Sequence, residues 1–212
     1  MMTKKNKCIQ DLLVYLDEIL PDARCELNYQ KDYELMIAVM LSAQTTDASV
    51  NKVTPVLFSK YPTIVDIANA PIRDVENIIR SIGLYKNKAQ NLVLACQKIV
   101  NDYQGKLPSD KDLLQTLPGI GNKSAGVIRA EVFKIHDLPV DTHILRISKR
   151  LGLANANDDP YQVEQKLKKL IPMDRWIKSH HQLIHFGRYH CIARHPHCEG
   201  CRMKEYCKET KI

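Results

Sequence analysis

The stretch Leu117-Pro118-Gly119-Ile120-Gly121-Asn122-Lys123-Ser124-Ala125 decides how this chain reads, because helix-forming sequence flanks it on both sides and leaves room only for a tight turn. Pro118 stops the preceding helix, since its ring removes a donor and clashes with the turn before it. Gly119 and Gly121 are expected to supply positive φ and to let an anion approach closely, while the amides that open the next helix point outward. A turn of this kind suits phosphate, and it is equally what any short helix–helix connection looks like. Lys123 falls on the first turn of the second helix, where a cation opposes the helix dipole. It reads either as an ordinary surface lysine or as an amine set up for nucleophilic attack, able to form a Schiff base with a carbon at the aldehyde level.

Downstream, Leu138-Pro139-Val140-Asp141-Thr142-His143-Ile144 reads as an extended approach to another helix with Asp141 at its N-cap. A carboxylate there satisfies backbone amides, and the same charge suits stabilising positive charge that develops on a sugar. His143 and His185 carry no assigned chemistry.

Seven cysteines are present, and four of them, Cys191, Cys198, Cys201 and Cys207, crowd into the last 22 residues. An odd count with this clustering points to metal ligation in a reducing compartment rather than to a disulfide framework. The four are separated by six, two and five residues. Unequal steps suit an iron–sulfur cubane better than a zinc site, which usually joins two close pairs; His190, His195 and His197 keep zinc open as the alternative. Almost no apolar residue follows Ile192, so the metal is expected to stabilise this segment directly. Arg194, His195, His197, Arg202 and Lys204 would then project from a rigid knot, toward phosphates or simply toward solvent. Cys8, Cys25 and Cys96 read as small buried hydrophobes or unremarkable thiols.

Elsewhere apolar residues recur at helical spacing. Leu12, Leu13, Leu16, Ile19 and Leu20 form one stripe, and Ala89, Leu92, Val93, Cys96 and Val100 another. The run from Leu35 to Leu41 is apolar throughout and is assigned to a buried helix because no strand partner is evident. The fold class is therefore all-α. Thirty-one Lys and Arg against 24 Asp and Glu give +7, which makes a polyanionic partner plausible without requiring one. Lys4, Lys5 and Lys7 are followed by Asp11, Asp17 and Glu18, so no signal peptide is expected, and no apolar run reaches membrane-spanning length.

Taken together, the glycine turn with Lys123, the Val140-to-Ile144 segment with Asp141 and the terminal C-x6-C-x2-C-x5-C resemble the endonuclease III family. The resemblance extends to Leu41-Ser42-Ala43-Gln44-Thr45-Thr46-Asp47 and to Ile82-Gly83-Leu84-Tyr85, and so covers essentially the whole chain. It implies two helical lobes flanking a DNA-binding cleft. One is a six-helix domain over 22–135 with a helix-hairpin-helix motif at 113–132; the other is a cluster domain built from 1–21 and 136–212, with an iron–sulfur loop at 191–207.

By the same resemblance, Lys123 matches the nucleophile of bifunctional glycosylases and Asp141 the carboxylate that assists it. Gly119 and Gly121 match the DNA-backbone grip, and Gln44 and Leu84 the residues that fill the gap left by a flipped nucleotide. Arg194 is expected to face phosphate. Cys191, Cys198, Cys201 and Cys207 would hold a [4Fe-4S] cluster. The implied activity is excision of oxidised pyrimidines from duplex DNA, then cleavage of the abasic site by β-elimination. The enzyme is expected to act as a monomer in the cytoplasm, associated with a bacterial nucleoid.

Asn122 and Ser124 depart from the commonest wording of the hairpin, where a basic residue and threonine are usual. The adenine-excising branch of the superfamily is the nearest rival. It lacks a lysine at Lys123 and carries glutamate where Ala38 stands. A non-catalytic, zinc-stabilised DNA-binding module is the rival from another class.

Overall fold

A computed structural model describes residues 3–209. Among the described residues every regular element is helical, so the all-α expectation holds. The chain divides into two compact units, 1–25 with 136–212, and 26–135. Among the described residues no helix is long and apolar enough to cross a membrane.

In the unit formed by 26–135, α2 (Asp32–Leu41) is the apolar run singled out above, and every residue from Glu34 to Leu41 is buried. Its one buried charge, Glu34, accepts hydrogen bonds from the amides of Gln30 (2.7 Å) and Lys31 (3.2 Å), which offsets desolvation. Helix α3 (Asp47–Lys60) begins at Thr46, whose hydroxyl accepts from the Ser49 amide. Two short helices, α4 (Ile64–Ala68) and α5 (Ile72–Ile78), both pack on α6 (Tyr85–Tyr103). Helix α6 buries Ala89, Leu92, Val93, Cys96 and Ile99 on one face, while Val100 is only half-buried. The hairpin helices are α7 (Lys111–Gln115) and α8 (Asn122–Val132), and α8 lies against α2.

The other unit contains α1 (Lys4–Ile19), α9 (Thr142–Arg150), α10 (Pro160–Leu170), a 3₁₀ turn at Met173–Arg175 and α11 (Trp176–Tyr189). Its core joins Ile9, Leu12 and Leu16 of α1 to Ile144 and Ile147 of α9, Val163 and Leu167 of α10 and Leu183 and Phe186 of α11. Met203 and Tyr206 belong to this core as well, at 1% and 8% exposure. The segment after Ile192 is thus better anchored than its sparse apolar content suggests, since Met203 and Tyr206 are both buried. Lys168 stands between the buried carboxylates of Asp137 (2.5 Å) and Glu164 (2.6 Å) and under the Trp176 ring. A cation shared by two carboxylates in this way holds α10 to the strand-like approach of α9.

Candidate functional site

The turn between α7 and α8 is pinned from beneath by Leu117 and Ile120, which are 2% and 5% exposed. The Ile120 amide closes the turn on the Leu117 carbonyl at 3.1 Å. Gly119 takes φ +81°, and a Cβ there would stand 3.1 Å from Asn91 Cβ and 3.2 Å from Met40 Cε, so both conformation and space require glycine. Gly121 differs from expectation. Its φ is −97° with extended ψ, the backbone any helix N-cap adopts, so it needs no left-handed freedom. What it contributes is bareness: it offers no side-chain cap to α8, and a Cβ on it would meet nothing within 4 Å. The amides that open α8 are consequently approachable. Lys123 is the second residue of α8 and is exposed.

In the other unit Asp141 caps α9. Its Oδ1 accepts from the amides of His143 and Ile144, each at 2.9 Å, and the residue is half-buried. Burial lowers the pKa of His143; the charge of Asp141 opposes that and Arg146 reinforces it. Arg146 also donates to the carbonyls of Gly187 (2.8 Å) and Cys191 (2.9 Å). One turn later Arg150 donates to the carbonyls of Ile192 and Ala193 and to the Cys191 sulfur. The helix that carries Asp141 at its start therefore grips the cysteine loop with two arginines one turn apart. The sequence reading passed over both, although a basic pair four residues apart on a helix next to a cysteine loop is a usable signal.

All four cysteines of that loop border one cavity of about 310 Å³. Among the described residues no three Cys, His, Asp or Glu side chains converge on a point that would hold a single ion. Four thiols lining one cavity are a donor set that could hold a metal centre. The Cys201 thiol is pushed up by burial and, against a hydrogen bond from Met203, by the thiolates of Cys191, Cys198 and Cys207, a mutual repulsion that a cationic centre would relieve. Cys8 and Cys96 are buried and do not line the cavity, and both are pushed up to about 12, chiefly by burial, as inert thiols are. Arg194 is exposed. Arg202 instead pairs with Glu18 at 2.7 Å and lies over the Tyr15 ring, which turns it toward α1.

Gln44 and Leu84 both lie in the 26–135 unit and are both exposed, Leu84 at 63%. Both have left-handed backbones, with φ of +56° and +59°. For a leucine or glutamine this conformation is strained by roughly 1–3 kcal/mol and persists only where the surroundings impose it. One residue that the sequence reading does not single out bonds the segment around Gln44. Lys88, which is 8% exposed on α6, donates to the carbonyls of Leu41 (2.8 Å) and Ala43 (2.7 Å) and to Thr45 Oγ1 (2.9 Å).

Residues 37–173 match a family described as the HhH-GPD superfamily base excision DNA repair protein. The chain is 43% identical to endonuclease III of Bacillus subtilis (strain 168), over 96% of this chain and 93% of the relative. It is 39% identical to endonuclease III of Escherichia coli (strain K12), over 93% of each. Among solved structures, a trapped endonuclease III–DNA covalent intermediate in an estranged-adenine complex is 45% identical and superposes with a TM-score of 0.95, covering 100% of this chain and 98% of that one. A thermostable thymine-DNA glycosylase, 24% identical over 97% of this chain and 96% of its own, shares the fold with a TM-score of 0.83. The glycine turn, the capped Asp141 helix and the four-cysteine cavity thus occur in a chain that belongs to the endonuclease III family, within the HhH-GPD superfamily of base excision DNA repair proteins.

Proposed function

We propose that this DNA glycosylase and abasic-site lyase removes oxidised pyrimidines from duplex DNA through a Schiff base on Lys123. The observation that carries the reading is an exposed lysine on the first turn of α8, directly behind the Gly119–Gly121 turn. The amides of that turn grip the DNA backbone and bring Lys123 to the sugar. With the damaged nucleotide swung out of the stack, Lys123 Nζ, as the neutral amine, attacks C1′ while the base departs with the glycosidic electron pair. Loss of a proton from the attached amine and opening of the C1′–O4′ bond, with a proton taken up at O4′, turn the adduct into an iminium, which makes the C2′ proton acidic. Its loss expels the 3′ phosphate, and water returns Lys123 as the free amine. Asp141 assists either by accepting a proton from Lys123 or by offsetting positive charge at the sugar. Ala38 is buried in α2, so no carboxylate is available at the position that the adenine-excising branch uses.

Gln44 and Leu84 fill the gap behind the extruded nucleotide, Leu84 as an apolar wedge and Gln44 through hydrogen bonds to the orphaned base. Cys191, Cys198, Cys201 and Cys207 hold a [4Fe-4S] cluster, which when bound supplies a rigid cross-link for the loop. Arg194, exposed on that loop, contacts phosphate. The protein works as a monomer in the cytoplasm at the nucleoid.

Borohydride reduction in the presence of a thymine-glycol duplex tests the proposal. Wild type should be captured as a covalent complex, and Lys123→Ala should not. Capture that survives the substitution removes Lys123 as nucleophile.

A further inference from the structure

The ammonium of Lys88 has three protons and three acceptors: the Leu41 and Ala43 carbonyls and Thr45 Oγ1. Leu41 ends α2, and Ala43 and Thr45 flank Gln44 in the turn between α2 and α3. The backbone amide of Lys88 donates to the carbonyl of Leu84 at 3.0 Å, the first hydrogen bond of α6. One residue therefore ties together the only two segments assigned to gap filling. None of its three hydrogen-bond acceptors is a carboxylate, and burial is what lowers its pKa. A cation kept in such a place without a counter-charge contributes geometry, because its donors fix the direction of three acceptors at once. The geometry it fixes is one the local sequence does not favour, since neither Gln44 nor Leu84 is a residue that readily turns left-handed.

We infer that Lys88 is a positioning residue, which locks the 41–45 turn against the start of α6 and so presents Gln44 and Leu84 ready to enter the gap left by an extruded nucleotide. The inference rests on the base-excision reading above and adds the element that makes gap filling pre-organised. It separates two requirements. A lesion in a stacked, paired duplex needs the gap filled, whereas the same lesion in an unpaired bubble does not.

The experiment uses the full-length, cluster-loaded protein and two substrates, thymine glycol opposite 2-aminopurine in a duplex and thymine glycol in an unpaired bubble. Single-turnover base release is followed on both, and 2-aminopurine fluorescence on the first. Lys88→Met should slow release from the paired substrate by about ten-fold or more and abolish the fluorescence rise, while release from the bubble stays within about two-fold of wild type. Gln44→Ala should slow the paired reaction in wild type but add little in the Lys88→Met background, because the two changes remove one device. Equal losses on both substrates, or no loss on either from a folded variant, overturn the role of Lys88 alone. Wild type that releases base from neither substrate overturns the base-excision reading and this inference with it. Should Lys88→Met not fold, Thr45→Val removes one acceptor with little change in shape. It should give a smaller loss confined to the paired substrate, and a loss on both substrates or on neither overturns the inference.

Discussion

Arg150 donates from Nη1 to the sulfur of Cys191 at 3.4 Å and, from the same guanidinium, to the carbonyls of Ile192 and Ala193 at 2.7 and 3.1 Å. It does so from α9 with only 8% of its surface exposed. The first cysteine of the loop is therefore held by the protein fold itself. Cys198, Cys201 and Cys207 lie on the irregular backbone that follows, where Met203 and Tyr206 are the apolar anchors.

This division predicts how the loop responds to loss of a ligand. Cys198→Ser should lose iron, sulfide and broad visible absorption. It should also lose about 3 kcal/mol of stability, seen as a fall of about 10 °C in Tm, since metal binding and folding of the loop are one event. A colourless wild type carrying one equivalent of zinc would contradict the cluster assignment and favour the zinc alternative.

Where α11 crosses α9, Gly187 leaves no room for a side chain. A Cβ there would come within 2.7 Å of His143 Cβ and 3.1 Å of Ile147 Cδ1. The nearer atom is the root of a side chain on a packed helix, so the helices must separate. Gly187→Ala should destabilise the protein by about 1–3 kcal/mol in urea unfolding. A change below about 0.5 kcal/mol would mean that α9 and α11 can slide apart freely.

Some of this architecture was readable from residue pattern. Leu35 to Leu41 lacked any polar punctuation, and it is indeed a helix buried on all sides. Asp141 could be placed as a cap because an extended Pro-Val pair precedes it and helical periodicity follows. The unread features depend on contacts distant in sequence. Leu84 and Gln44 are left-handed although neither is glycine, and a lysine from α6 reaches back to bond the residues around Gln44; in sequence Lys88 is one polar residue beside the stripe that begins at Ala89. Conversely, Gly121 suggested a left-handed turn and supplies only an absent side chain.

Asp17 gives the 1–25 and 136–212 unit a measurable dependence on pH. Burial acts to raise its pKa, but hydrogen bonds from Lys178, Gln182 and Arg175 prevail and bring it to about 2. Lys178 and Arg175 stand 2.8 and 2.9 Å from Oδ1. In the unfolded chain the carboxyl titrates near about 3.9, so between these values the unfolded state binds more protons. The contribution of Asp17 is present above pH about 4 and is lost as pH falls toward about 2. Chemical denaturation across that range should show a shallower acid-side decline in Asp17→Asn than in wild type. Parallel declines would remove Asp17 as a source of acid sensitivity.

Asp141 has two separable duties, and asparagine divides them. As N-cap, it accepts from the amides of His143 and Ile144. Asparagine caps about as well as aspartate, so Asp141→Asn should change stability by less than about 0.5 kcal/mol, whereas Asp141→Ala should lose about 1 kcal/mol. The proposed chemistry needs the negative charge, which asparagine lacks. Asp141→Asn should therefore slow base release by about 10²-fold or more while binding duplex DNA nearly as tightly as wild type. On a preformed abasic site, where no glycosidic bond remains to be broken, the loss is smaller if Asp141 stabilises the sugar cation, and equal if it accepts the Lys123 proton. Normal base release in a folded Asp141→Asn protein would leave the carboxylate as a cap and nothing more.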